Sequence, residues 1–292
     1  MENILEVSNL SKAWPGFKLN QVSFNIPRGY IMGFIGPNGA GKTTTIKLIM
    51  NLIHKDSGQI AVFGQDHIKF QKQIRDRIGF VYDEGYFYEH LDIILIKQII
   101  APFYSRWDEK AFQQYIRAFR IPVKPKFKDL SRGEKMKFSL ALALSHNAEF
   151  IIMDEPTSGL DPVFRNELLD ILANLMQDDN KSILFSTHIT SDLQRISDYI
   201  CFINQGEIIF YEDIDTVLNQ YMVVKGPSEA LNETTRPLFI GIREHSFGFE
   251  ALSQQTKEVS RLLGNQVNIE KADLEDIMLY TVRGSNHVSA DL

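Results

Sequence analysis

Gly36-Pro37-Asn38-Gly39-Ala40-Gly41-Lys42-Thr43 is the stretch on which the reading of this chain turns. It is a full match to G-x-x-x-x-G-K-[ST], and each position has a physical reason. Glycines let the backbone fold around an anion so that several N–H groups point at its oxygens. A helix expected over residues 42–53 adds the positive end of its dipole. Lys42 can reach the β- and γ-phosphates of a nucleotide, and the Thr43 hydroxyl suits Mg²⁺. An apolar run over residues 30–35 reads as the strand that feeds the loop. Strand, glycine-rich loop and helix in that order specify a nucleotide site.

Outward from the loop, residues 3–8 and 18–26 read as earlier strands, and 59–63 and 78–82 as later ones. From about residue 91 to 147 the spacing turns helical, over 91–103, 109–119 and 133–145, with Pro102, Pro122 and Pro125 as breakers. Continuous apolar strands return at 150–153 and 182–185, separated by an amphipathic helix over 162–176. This alternation predicts an α/β fold whose mostly parallel sheet is covered on both faces, with the helical block inserted into it. After residue 210 the pattern weakens. Strand-like pieces at 221–225, 238–242 and 266–270, with helices over 251–263 and 273–281, predict a small α+β extension.

Phe150-Ile151-Ile152-Met153-Asp154-Glu155 is a buried-type strand that ends in two acids. Open parallel sheets bind ligands at the carboxyl ends of their strands, so these acids belong beside the phosphate loop. Asp154 is then the candidate for the magnesium shell and Glu155 for the general base that polarises water. Ser186-Thr187-His188 comes after another strand, which places His188 at the same edge, within reach of a γ-phosphate. Leu130-Ser131-Arg132-Gly133-Glu134 opens a helix. Ser131 and Glu134 have capping-box spacing, and an anion-binding helix start is the equal alternative.

With 292 residues, 44% of them hydrophobic and 23% charged, the chain can bury a real core. A net charge of −6 excludes broad attraction to nucleic acid. The single cysteine, Cys201, rules out an intrachain disulfide and suits a reducing compartment. The first residues lack a signal-peptide pattern, and the most apolar run, 91–103, falls short of the ~20 residues of a membrane-spanning helix. Work at a membrane therefore requires another polypeptide to cross it.

Taken together, these residues resemble the ATP-binding subunits of ABC transporters. GPNGAGKT corresponds to the Walker A motif, LSRGE to the signature, FIIMDE to Walker B, SGLD at 158–161 to the D-loop, and His188 to the switch histidine. The run Ala272-Asp273-Leu274-Glu275-Asp276-Ile277 is similar to the end of ABC-2-type exporter subunits. The resemblance implies a P-loop ATPase of the ABC type over residues 1–215, with an antiparallel β subdomain and a helical subdomain at about 84–147. Residues 216–292 form the extension. It implies ATP held by Gly36 to Thr44 (Gly36, Pro37, Asn38, Gly39, Ala40, Gly41, Lys42, Thr43, Thr44), with Trp14 stacked on adenine. Mg²⁺ is implied at Thr43, Asp83 and Asp154, and catalysis by Lys42, Glu155 and His188. A second ATP-binding subunit, identical or related, is implied to receive Ser131 and Gly133 at its own nucleotide. The implied location is cytoplasmic, peripheral on the inner membrane face beside an integral membrane transporter subunit, with no nucleic-acid partner.

Two positions depart from the family pattern. Arg132 replaces a glycine, where its cation either helps hold an anion or crowds the turn. Asp83 stands where glutamine or glutamate is usual, so metal contact calls for a bridging water or for Glu84. The run Tyr86-Phe87-Tyr88 is either core packing or the lining of a groove for a cytoplasmic helix of the transporter. Alternative functions are a soluble non-transport ABC ATPase and an ATP-dependent regulatory module. A single phosphate loop, and too few residues between Thr43 and Leu130 for a long coiled coil, disfavour the first. An intact set of Lys42, Asp154, Glu155 and His188 disfavours the second.

Overall fold

The computed structural model describes residues 2–82 and 87–289, with side chains through Gly284. The chain divides into two units, one reaching Tyr211 and the other starting at Glu212. In chain order the first holds β1 (Asn3–Trp14), β2 (Phe17–Pro27), β3 (Ile31–Ile35), α1 (Lys42–Ile49), β4 (Ser57–Val62), β5 (Gln65–Asp66), α2 (Gln71–Arg75) and β6 (Ile78–Tyr82). Next come α3 (Ile93–Ile100), α4 (Glu109–Ala118), α5 (Arg132–Leu144), β7 (Phe150–Asp154), α6 (Pro162–Leu175), β8 (Ser182–Thr187), α7 (Thr190–Ile196), β9 (Tyr199–Asn204) and β10 (Glu207–Asp213), which crosses the boundary.

A six-stranded sheet in the order β10-β9-β3-β8-β7-β6 carries the nucleotide-binding edge. Every residue of β3, β7 and β8 is buried, which is why these strands read as unbroken apolar runs. They pair in parallel, with Ile35 opposite Thr187 and Asp154 opposite Ser186. This register brings the ends of three strands, and the loops after them, to one edge. Strand β9, beside β3, falls outside the sequence expectation although its Ile200, Cys201, Phe202 and Ile203 are fully buried. No glycine or proline directly precedes it to mark its start.

The second sheet, β2-β1-β4-β5, is antiparallel and shares one core with the first, where Leu5, Val7 and Phe24 meet Phe34, Ile152 and Leu184. Strand β1 runs on to Trp14, well past the alternation at residues 3–8. Register shifts after Val7 and Leu10, with Asn9 at φ 49°, explain the difference: each bulge resets which face a side chain takes. Helix α1 stops at Ile49, before the expected residue 53. Asn51 adopts φ 50° and Leu52 N–H donates to the Lys47 carbonyl at 2.8 Å, a Schellman stop with asparagine in the left-handed position.

In the helical insert, Asp92, Asp108 and Ser131 cap α3, α4 and α5 with their side-chain oxygens. Helix α3 ends at Ile100 and tightens into a 3-10 turn at Ala101–Phe103, where Pro102 removes a backbone donor. Phe87 packs edge-on against Phe127 and Phe138, with ring centroids 5.1 and 5.5 Å away, so this member of the aromatic run is core packing. Tyr88 is 64% exposed. Asp83, Glu84 and Tyr86 lie outside the described residues.

Glu149, just before β7, joins three parts of this unit. It accepts two hydrogen bonds from Arg77 (2.9 and 2.6 Å), one from Arg106 of the insert (3.1 Å) and one from Arg28 of the β2–β3 turn (3.3 Å). The Arg77 hydrogen bonds lead in holding its carboxyl at about 2, against an ordinary 4.5. Because the folded value is depressed, the stabilisation is complete above the ordinary value and is lost as pH falls through about 2. Glu149→Gln is expected to cost about 2–3 kcal/mol at pH 7, since three partly buried guanidinium groups lose their counter-charge. In urea unfolding, the gap between wild type and variant should narrow from pH 5 to pH 3. A constant gap would show that the carboxylate charge is not what holds the cluster.

The second unit contains α8 (Ile214–Gln220), β11 (Met222–Gly226), β12 (Gly241–His245), β13 (Gly248–Ser253), α9 (Thr256–Leu263), β14 (Asn268–Lys271) and α10 (Leu274–Ser289). Its antiparallel sheet has the order β12-β13-β11-β14. The helix expected over 251–263 is corrected. Ala251, Leu252 and Ser253 belong to a central strand bonded on both sides, and the helix starts only at Thr256. Pairing to two neighbours outweighs the local helical spacing. The strand expected at 238–242 starts later, at Gly241, because Pro237 sits in a 3-10 turn at Arg236–Leu238.

Candidate active site

The loop after β3 turns at Gly36, where a side chain has no room. A Cβ built there would stand 2.2 Å from the Ile203 carbonyl oxygen of β9. Lys42 opens α1 and curls back over the loop, 6% exposed. Its ammonium donates to the carbonyls of Gly36 at 2.7 Å and Pro37 at 3.3 Å, and pairs with Glu155 Oε1 at 3.1 Å. A cavity of about 330 Å³ opens beside it, lined by Phe17, Asn38, Gly39, Thr43, Thr44 and Glu155, among others.

Glu155 stands just past the end of β7 with φ 51°, a left-handed conformation that costs a non-glycine residue about 1–2 kcal/mol. Its backbone N–H is held by the Ser186 carbonyl at 3.0 Å. The turn aims the carboxylate between two partners: Oε1 faces Lys42, and Oε2 meets His188 Nδ1 at 2.8 Å. Lys42, Glu155 and His188, expected from sequence as the catalytic set, thus form one continuous line.

Asp154 is 3% exposed and accepts a hydrogen bond from Ser186 Oγ at 2.7 Å. Burial pushes its carboxyl above the ordinary range, while the hydroxyls of Ser186 and Thr43 pull the other way. Thr43 and Asp154, two of the three expected metal residues, are therefore in contact. A buried carboxylate whose charge is disfavoured, with two hydroxyls around it, is a hard-oxygen donor set that a divalent cation would compensate. No group of three or more histidine, cysteine or acidic side chains gathers for a metal among the described residues. The third expected metal residue, Asp83, lies outside the described residues.

Trp14 does not line the cavity. It is 40% exposed, its ring 6.2 Å from that of Phe17, which does line it. Phe17 is absent from the sequence expectation, although the pairing of Trp14 with Phe17 across the tight turn at Pro15-Gly16 is a signal for it. Ser186 is absent too, because only strand register shows that it faces Asp154.

Ser131 and Gly133 lie elsewhere. Ser131 caps α5 in a full capping box with Glu134, so the local alternative is satisfied within this chain. Gly133 packs on the Phe164 ring, with a built Cβ 3.0 Å from its Cδ1. Neither lines the cavity beside Lys42.

The ABC transporter family model matches residues 19–158. The chain is 32% identical over 214 residues to the bacitracin transport ATP-binding protein BcrA of Bacillus licheniformis, covering 72% of this chain and 69% of that one. It is 25% identical over 301 residues to the BcrA protein of Enterococcus faecalis, covering 97% and 98%, so the second unit has a counterpart there. A solved ATP-binding subunit of an ABC transporter superposes with a TM-score of 0.67 at 28% identity, over 74% of this chain and 92% of the other. Motif order, the line from Lys42 to His188, the fold and these relatives agree: the chain belongs to the ATP-binding subunits of ABC transporters, the ATPase component of those machines.

Proposed function

We propose that the chain hydrolyses Mg·ATP to energise export through a separate integral membrane subunit, working at the inner membrane face. The observation that carries this reading is the line of Lys42, Glu155 and His188 at the mouth of the phosphate loop. The loop N–H groups and the start of α1 receive the phosphates, and Lys42 bonds the β- and γ-oxygens. A phosphate oxygen competing for Lys42 releases Glu155 Oε1 to accept a proton from water attacking the γ-phosphorus. The bond from that phosphorus to the bridging oxygen breaks, and ADP leaves with that oxygen. His188 steers Glu155 through Oε2 and faces the γ-phosphate. Thr43 and Asp154 would hold Mg²⁺, which supplies charge neutralisation across the phosphates when bound.

Ser131 and Gly133 sit away from this cavity, which supports their serving the nucleotide of a second ATP-binding subunit. No helix among the described residues is long and apolar enough to cross a membrane, in keeping with a separate subunit for the crossing. The bacitracin-transport relatives support a peptide-antibiotic class of cargo. Reconstitution with a membrane subunit that co-purifies with it from native membranes is the direct test: the expected result is ATP-dependent efflux that the chain alone cannot produce. ATP turnover without any membrane partner found in native complexes would favour a non-transport role.

Phe17 makes a nearer adenine platform than Trp14. Phe17→Ala is expected to weaken ATP binding about threefold to tenfold, as stacking is worth roughly 0.5–1.5 kcal/mol, with a smaller loss for Trp14→Ala. Fluorescent-nucleotide titration checks the order, and a larger loss for Trp14 would restore it as the main platform.

A further inference from the structure

Arg132 stands where the family pattern has glycine, and its side chain crosses to another element. A Cβ built on Gly159 would lie 2.2 Å from Arg132 Nη1 and 2.8 Å from its Cζ. The guanidinium is therefore seated directly against the Gly159 backbone, in the loop from β7 to α6. Gly159 has φ 65°, so this position excludes a side chain twice over, by conformation and by the arginine. Where the sequence leaves two alternatives, an anion contact or crowding of the turn, the side chain here reaches across to a separate loop.

Neighbouring residues of α5 grip the same region. Gly133 rests on Phe164, Lys137 Nζ pairs with Glu167 at 2.9 Å, and the same ammonium lies 4.7 Å above the Phe164 ring. The loop itself is tightly turned: Ser158 N–H donates to the Glu155 carbonyl at 3.2 Å, and Leu160 N–H to the Thr157 carbonyl at 3.3 Å. Asp161 then caps α6, accepting from Val163 and Phe164 N–H at 3.0 Å each. Overlapping hydrogen bonds thus link Glu155 at one end of this turn to the segment around Gly159, four residues on.

We propose that Arg132 is a positioning residue for Glu155: by holding Gly159, it couples the start of α5 to the loop that aims the catalytic carboxylate. The proposal rests on the reading of Glu155 as the general base. Displacing α5 at its first turn shifts the loop, and a small misplacement of a base is expressed in turnover rather than in nucleotide binding.

Steady-state ATPase kinetics and equilibrium nucleotide binding on the full chain test it. Arg132→Ala is expected to lower kcat about tenfold while KM and nucleotide affinity stay within about twofold. Melting should be unchanged, since the residue is exposed. Arg132→Lys should recover part of the loss. Gly159→Ala should lose at least as much, and the double variant should be no worse than Gly159→Ala alone. In a Glu155→Gln background, Arg132→Ala should have no further effect, because the residue acts through that carboxylate. A rise in KM as the main effect would make Arg132 a phosphate contact and overturn the proposal. Additive losses at 132 and 159 would overturn it as well. The Glu155→Gln control separates the two levels. If that variant is inactive while Arg132→Ala turns over normally, the positioning role alone fails; if it turns over normally, the reading of Glu155 fails first.

Discussion

Glu155→Gln is expected to lower ATP turnover about 10²–10⁴-fold while leaving ATP affinity within a few-fold of wild type. The amide is the same size as the carboxylate, so its oxygen can still accept from Lys42 and the backbone turn at φ 51° need not change. What disappears is the capacity to take a proton from water. Binding depends on the phosphate loop and on Lys42, which this change leaves in place. The variant should therefore accumulate with ATP bound, visible as a stable dimer on size exclusion in Mg·ATP if a second copy completes the site. Turnover equal to wild type would remove Glu155 from the mechanism.

Gly36→Ala is the second large effect, and it acts by steric exclusion. The new Cβ would lie 2.2 Å from the Ile203 carbonyl oxygen and 3.2 Å from Ala40 Cβ. Neither neighbour can yield cheaply. Ile203 is fully buried in β9, and that strand pairs with β3 from Tyr199 to Phe202, up to the residue before it. The loop must give way instead, and Lys42, which bonds the Gly36 carbonyl, moves with it. A cost of about 2–4 kcal/mol is expected, in the range of overpacking and backbone conflict. ATP affinity should fall at least about tenfold, since the N–H groups no longer converge on the phosphates. Thermal melting and nucleotide titration of the same preparation check both parts; normal melting with normal affinity would refute the steric account.

These two variants and the Arg132 series sample different layers of one site. Glu155 reports chemistry, Gly36 reports the fit of the loop to the strand behind it, and Arg132 reports how a helix outside the cavity governs the base. Their separation is measurable because kcat, affinity and stability move independently in the three cases.

From sequence alone came the nucleotide chemistry of this chain. The residues from Gly36 to Thr43, the acids at 154 and 155, and His188 each sit where a continuous apolar strand ends, and a buried parallel strand delivers its next residues to one edge of the sheet only. Local patterns of that kind are legible because the constraint lies within a few residues. Tertiary structure alone decided what depends on contacts between distant segments. It placed Phe17 rather than Trp14 on the cavity wall, made Ser186 a partner of Asp154, turned residues 251–253 into a central strand, and seated Arg132 on Gly159. In each case the deciding partner comes from a separate element of the fold, and strand register and side-chain reach exist only once the chain has closed on itself.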